Sequence, residues 1–273
     1  MTKKKYKIAV FSDLKKSASS TLKSAVSLAQ MIDGEIELFY VKKPSEIVDR
    51  DNQLSAMRTI NAQYSETERR IFKMVDSIAK EHHVNINYRF SFGNVKNELG
   101  KYMKVEQPDI VVLGKRKPKL LTIMGDCITD FVLKNYKGVV LLAANSNTIE
   151  PNTTLSMGVL LGDEESLNFT FAEDLMLHTQ QPLTSFRITT KLNHLLETKA
   201  KEAVTTIDYV FDQGDQALQN ISNYLVKSNI NLLCVRRESA SQSTSNLNSE
   251  VNKVVDKMNV SLLLTTNSNY SLN

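Results

Sequence analysis

Two kinds of residue in this 273-residue chain stand where chemistry could occur. One is an aspartate just past an apolar run. Ile8-Ala-Val-Phe11 leads to Ser12 and Asp13, and Met157-Gly-Val-Leu-Leu161 leads to Gly162 and Asp163. A carboxylate there can bind a ribose or adenine, or it can cap the turn or helix that follows. The other is the cluster Lys115-Arg116-Lys117-Pro118-Lys119, directly after Asp109-Ile-Val-Val-Leu-Gly114. It can neutralise an anion such as a phosphate group at the carboxyl end of a strand, where open α/β sheets bind ligands. A solvated charged loop is the plain alternative.

Other reactive residues lack partners in the sequence. Cys127 and Cys234 have no metal-ligand spacing and read as small buried apolar residues. His82 and His83 end a helical stretch, where cations suit the helix dipole, and His178 and His194 are isolated. No Ser–His–Asp or Cys–His arrangement stands at motif spacing. The chain is therefore read as non-enzymatic, with no catalytic residue and no metal site.

Charge is divided unevenly. Residues 1–150 hold 25 Lys and Arg against 17 Asp and Glu, a net +8, whereas residues 151–273 hold 9 against 13, a net −4. Opposite signs favour contact between the halves or steering of an anion to the first. The basic residues lack interleaved aromatics, so no nucleic-acid partner is expected. The longest apolar runs, Gly138–Ala144 and Val260–Leu264, are far short of the ~20 residues needed to span a bilayer. No secretory leader is legible at Met1, and a cytoplasmic location with no membrane association is expected.

The elements that must position these residues alternate. Tyr6–Ser12 reads as a strand. Ser17–Ile32 places Ala18, Leu22, Ala25, Val26, Ala29 and Ile32 on one helical face, and Asp33-Gly34 is expected to end it with glycine at C′. Glu35–Val41 reads as a second strand, Ser45–His82 as a long helix and Asn85–Phe92 as a third strand. Gly93 turns the chain into a helix near Val95–Lys104. The continuous run Pro108–Leu113 has the pattern of a strand buried on both faces. A helix over about Gly125–Asn135 and the strand Gly138–Ala143 complete the unit. Asn145–Thr154 is polar and reads as a linker, and the serines of Ser239–Ser249 as a loop.

After the linker the signals restart. Met157–Asp163 repeats Ile8–Asp13, and Tyr209–Gly214 repeats Tyr88–Gly93. Asn231–Arg236 repeats Asp109–Gly114, and Asn259–Leu264 repeats Gly138–Ala143. Asp13 and Asp163 are 150 residues apart, but Gly93 and Gly214 only 121, so the second copy lacks 29 residues where the first has its long helix. A shorter helical piece near Leu192–Ala203 is expected in its place. Strand–helix alternation implies parallel pairing through right-handed crossovers. The fold class is α/β: two tandem, open, five-stranded, mostly parallel sheets with helices on both faces, the second reduced. The expected domains are residues 1–145, a linker 146–153, and a reduced copy 154–273.

This order of strand–Asp–helix, strand–Gly–helix, Pro-Asp-Ile-Val-Val-Leu-Gly, helix and Val-Val-Leu-Leu resembles the universal stress protein family. The resemblance covers about residues 5–144, and less strongly 154–266. It implies a five-stranded sheet that often dimerises through its last strands. It therefore implies that Val139–Leu142 and Ser261–Leu264 pair across the halves, so that a tandem chain carries its own dimer. A homodimer and an unidentified protein partner are further expectations. The resemblance also implies a nucleoside contact at Asp13 and an adenine-facing backbone at Val41. Phosphates sit on a loop Gly-x2-Gly-x9-Gly-Ser/Thr after the fourth strand, where glycine N–H groups and a helix N-terminus favour anions.

The sequence departs from that loop. Gly114 fits the first glycine, but Lys117 takes the second position. Gly125 lies 11 residues after Gly114 instead of 13, and Asp126 follows it in place of Ser or Thr. A carboxylate there repels phosphate and suits a helix cap or first turn. In the second copy Arg236 replaces the first glycine, and Glu238–Glu250 has no glycine. Two readings follow. One is a stress-response scaffold or interaction module with a degenerate nucleotide site formed by Asp13, Val41, Gly114, Lys115, Arg116, Lys117, Gly125 and Asp126, and with no resident cofactor. The other is a sensor that binds ATP or another adenine nucleotide in the first domain.

Overall fold

β1 (Tyr6–Ser12) pairs in parallel with β2 (Gly34–Lys42) through α1 (Ala18–Ile32). Asp33, at φ 55°, supplies the left-handed residue that ends α1, a conformation Asp tolerates better than most. The expectation that Gly34 would do so is thus corrected. Gly34 begins β2 instead, where close packing favours glycine: a Cβ there would lie 2.5 Å from Ile8 Cδ1 and 3.4 Å from the Ala29 Cα. The computed structural model describes residues 5–43, 53–115, 128–160, 169–180, 182–189, 206–214, 216–237 and 247–266.

The first repeat continues with α2 (Gln53–His82), β3 (Ile86–Phe92), α3 (Val95–Glu106), β4 (Ile110–Gly114), α4 (Ile128–Asn135) and β5 (Val139–Ala143). His83 takes the left-handed position after α2, and the Asn94 side chain caps α3 by accepting from the Asn97 N–H at 3.2 Å. The second repeat holds β6 (Met157–Leu160), α5 (Ala172–Leu177), β7 (Leu183–Thr189), β8 (Thr206–Asp212), α6 (Ala217–Lys227), β9 (Leu232–Arg237), α7 (Leu247–Lys257) and β10 (Ser261–Thr266). Residues 247–249, expected in a serine-rich loop, are instead the first turn of α7. The expected helical piece near Leu192–Ala203 lies outside the described residues.

All ten strands form one sheet in the order β3-β2-β1-β4-β5-β10-β9-β6-β7-β8. Every neighbour pair is parallel except β5–β10, which is antiparallel and joins the repeats. There Leu142, Leu141 and Val140 face Leu262, Leu263 and Leu264. Ile110 pairs with Val139 on β4–β5 as Leu232 pairs with Ser261 on β9–β10, so equivalent residues near this seam are 122 apart, one more than the alignment of Gly138 with Asn259 gives. The equivalence reaches side chains. Asp109 accepts from the Lys7 N–H through its carboxylate at 2.8 Å, and Asn231 accepts from the Ser156 N–H through its amide oxygen at 3.0 Å.

The helices form two layers. α1, α2 and α5 cover one face, over Ile8, Val10, Ile110, Leu141, Cys234 and Leu263. α3, α4, α6 and α7 cover the other, over Phe11, Val111, Leu113, Leu142, Leu233 and Leu264. Alternate residues of one strand thus enter opposite cores, which explains the unbroken apolar runs. The polar segment between the repeats docks on α1. Ile149 is buried, the Thr148 and Ser24 hydroxyls meet at 2.5 Å, and the Glu150 carbonyl accepts from Ser27. Among the described residues no helix is long and apolar enough to cross a membrane.

Candidate functional site

Parallel strands put their carboxyl ends on one edge. Ser12 aligns with Tyr40, and Phe11 with Leu113, so Asp13, Val41 and Gly114 come together there. Each of the three is engaged in holding that edge. The Asp13 carboxylate accepts from the Lys15 N–H at 3.0 Å and shapes the turn into α1. Leu14, at φ 53°, is a strained residue for its type, with its side chain buried. Its carbonyl accepts from Arg70 of α2. Val41 is buried, with Ser91 beside it on β3.

Gly114 lets α1 approach β4. A Cβ on it would lie 2.6 Å from Thr21 Oγ1, and that hydroxyl donates to the Ser17 carbonyl at 2.8 Å. Thr21 is β-branched and stiff at χ1, so it cannot swing aside cheaply. Packing alone therefore accounts for glycine at this position.

Lys115 leaves the edge. Its backbone N–H continues the β4–β5 ladder onto the Ala143 carbonyl at 2.7 Å, and its carbonyl accepts from the Asn145 amide. Its ammonium donates across the seam to the Met258 carbonyl, just past α7. Burial lowers its pKa to about 8, against a smaller opposing pull from Asp256. The residue 122 later is Arg237, which makes the reciprocal contact. Its guanidinium donates to the carbonyls of Leu133, Tyr136 and Gly138 at 2.8, 2.7 and 2.7 Å. Tyr136 and Met258 are themselves 122 apart, so each repeat places a cation on the carboxyl end of the other's helix, where the helix dipole favours it. Sequence reasoning missed Arg237. The signal lay in the alignment of Gly114 with Arg236, which puts Arg237 opposite Lys115.

This geometry sets a pH dependence. A lysine held near 8 in the folded state and at about 10.5 unfolded binds fewer protons when folded between those values. Its burial therefore costs stability below pH 8, and the cost fades as pH rises toward 10.5. Between pH 8 and 10 the native chain is expected to gain melting temperature relative to Lys115→Met, which loses both this cost and the Met258 bond. A difference between the two that does not change with pH would exclude this titration.

The remaining predicted residues, Arg116, Lys117, Gly125 and Asp126, lie outside the described residues, as do Asp163 and Cys127. Cys234 is buried beside Met157, with its sulfur 3.3 Å from Met157 Sδ, and burial pushes its thiol up to about 12. Among the described residues no three His, Cys, Asp or Glu side chains group to hold a metal ion. Of the strand edge the structure describes Asp13, Val41, Gly114 and Lys115, which are engaged in a turn, two strands and the seam, whereas residues 116–127 of the loop lie outside the described residues.

Comparison with known proteins agrees with this architecture. No curated protein matches the chain. A universal stress protein from Archaeoglobus fulgidus DSM 4304 superposes with a TM-score of 0.64 at 12% identity, over 96% of this chain and 98% of that one. A functionally unknown protein from Pseudomonas aeruginosa PAO1 superposes with a TM-score of 0.57 at 11% identity, over 95% and 92%. At such identities these likenesses speak to fold alone. The sequence model of the universal stress protein family matches residues 6–142, half of the chain, from β1 to the penultimate residue of β5. With its strand order, its repeat and that match, the chain belongs to the universal stress protein family.

Proposed function

We infer that the chain works as a non-enzymatic stress-response protein, a tandem scaffold or interaction module whose nucleotide site is degenerate. Residues 1–145 and 154–273 would be its two units. The observation that carries this reading is the course of Lys115. The first side chain after Gly114 is spent on the seam, and Arg237 of the second repeat is spent in the same way. Strand-end cations that could meet phosphate oxygens instead fasten one repeat to the other. Lys117 and Asp126 at motif positions support the same reading.

The meeting of Asp13, Val41 and Gly114 at one edge favours the alternative, an adenine-nucleotide sensor in the first domain. Calorimetric titration with ATP, ADP and AMP separates the two. The expected outcome is no binding heat, and no shift in melting temperature at millimolar nucleotide. Micromolar binding that disappears in Asp13→Ala would overturn the degenerate-site reading.

A further inference from the structure

A second concentration of charge lies away from the strand edge, between α1 and α2. Residues of the two helices line an open cleft of about 400 Å³, within the size range of small-molecule sites. α2 contributes Arg70, Lys73, Ser77 and Glu81, at spacings of three and four along one helical face, and α1 contributes Ser19 and Lys23. Three cations thus face one carboxylate. Lys23 Nζ holds Glu81 at 2.7 Å, and that contact lowers the Glu81 pKa. Asp76, beside the cleft on α2, is held by Lys80 at 2.8 Å.

Arg70 is fixed in place, because one Nη donates to the Leu14 carbonyl in the strained β1–α1 turn. A guanidinium has five N–H donors, so this bond leaves others for a ligand. Orienting the fork in advance lowers the entropy cost of binding. Below the polar rim lie Met74, half-buried, and Ile78, 2% exposed.

We propose that this cleft binds a small phosphorylated molecule, a phosphomonoester whose phosphoryl group sits between Arg70, Lys73 and the Ser19 and Ser77 hydroxyls, on the side away from the Lys23–Glu81 pair. A tetrahedral dianion offers enough acceptors for ammonium, guanidinium and hydroxyl donors together. The cleft is larger than one phosphate, and the Met74–Ile78 floor takes the organic part. The net +8 of residues 1–150 draws such anions to this half of the molecule. The cleft adjoins the strand edge through the Leu14 turn but shares no residue with the nucleotide site.

The test uses the full chain and titrates phenyl phosphate and inorganic phosphate by calorimetry at physiological ionic strength. Phenyl phosphate is expected to bind more tightly than inorganic phosphate because of the apolar floor. Lys73→Glu should weaken it at least about tenfold, the loss of one charge-assisted contact and gain of a repulsion. Lys73 is exposed, so this variant should fold normally, which its melting curve checks. Lys104→Glu, an exposed charge reversal on α3 in the opposite helix layer, should leave the affinity unchanged. No binding at millimolar phenyl phosphate, or unchanged affinity in both Lys73→Glu and Arg70→Gln, overturns the proposal. Equal weakening in Lys104→Glu also overturns it, because the anion then answers to net charge and not to this cleft.

Discussion

Replacing Arg237 with alanine should lower the unfolding free energy by roughly 3–4 kcal/mol, a large effect for one substitution. The side chain is 5% exposed and serves three carbonyls, those of Leu133, Tyr136 and Gly138. Without it, three acceptors at the end of α4 lose a cationic donor in a place that water reaches poorly. They cannot rearrange freely. The Tyr136 hydroxyl is tied to the Pro108 carbonyl at 2.7 Å, and a Cβ on Gly138 would collide with the Tyr136 ring. Arg237→Lys should recover only part of the loss, since one ammonium cannot span all three oxygens. Urea denaturation of the three proteins measures this. A loss under about 1 kcal/mol for the alanine variant would mean that the cap contributes little.

The second large effect belongs to the seam. Leu263 is fully buried opposite Leu141, and Leu263→Ala should cost about 3 kcal/mol in lost transfer energy and cavity. Both side chains enter the core under α1, so Leu141→Ala and Leu263→Ala should not add. A double-mutant cycle should give a coupling of at least about 0.5 kcal/mol. Additive losses would indicate that the repeats are held by their helix layers and not by the β5–β10 pair.

Much of the fold was legible in residue order. Strands such as Ile110–Gly114 and Val139–Ala143 are buried on both faces, so they read as unbroken apolar runs. α1 was legible because its apolar residues Ala18, Leu22, Ala25, Val26, Ala29 and Ile32 recur at helical spacing. β7 was not singled out because it interleaves polar residues, as in Leu183-Thr-Ser-Phe186, and α5 has only six residues. Gly34 misled because glycine has two uses, left-handed backbone and close approach, and only the position of Ile8 decides between them.

The candidate site was legible at the level of backbone placement. A parallel sheet must bring Asp13, Val41 and Gly114 to one edge once the strands are known. The fate of Lys115 was not legible, because its partner carbonyl lies 143 residues away in the other repeat. Long side chains next to a seam are decided by the far half of the molecule. The Arg70–Leu14 contact escaped for a similar reason: it joins a helix to a turn 56 residues earlier.

The position of β10 has a consequence for how the chain comes to be made. This strand lies in the middle of the sheet, between β5 and β9, yet it is encoded well over a hundred residues after β5. During synthesis at about 5–20 residues per second, the apolar edge of β5 waits roughly 6–25 seconds for the strand that covers it. Pairs so distant in sequence close slowly, because the intervening loop entropy must be overcome first. A nascent first repeat is thus a half-sheet with a bare edge, able to pair with the same edge on a neighbouring nascent chain. The vulnerable interval in the life of this protein is set by translation speed, and slowing the ribosome before β10 would lengthen it.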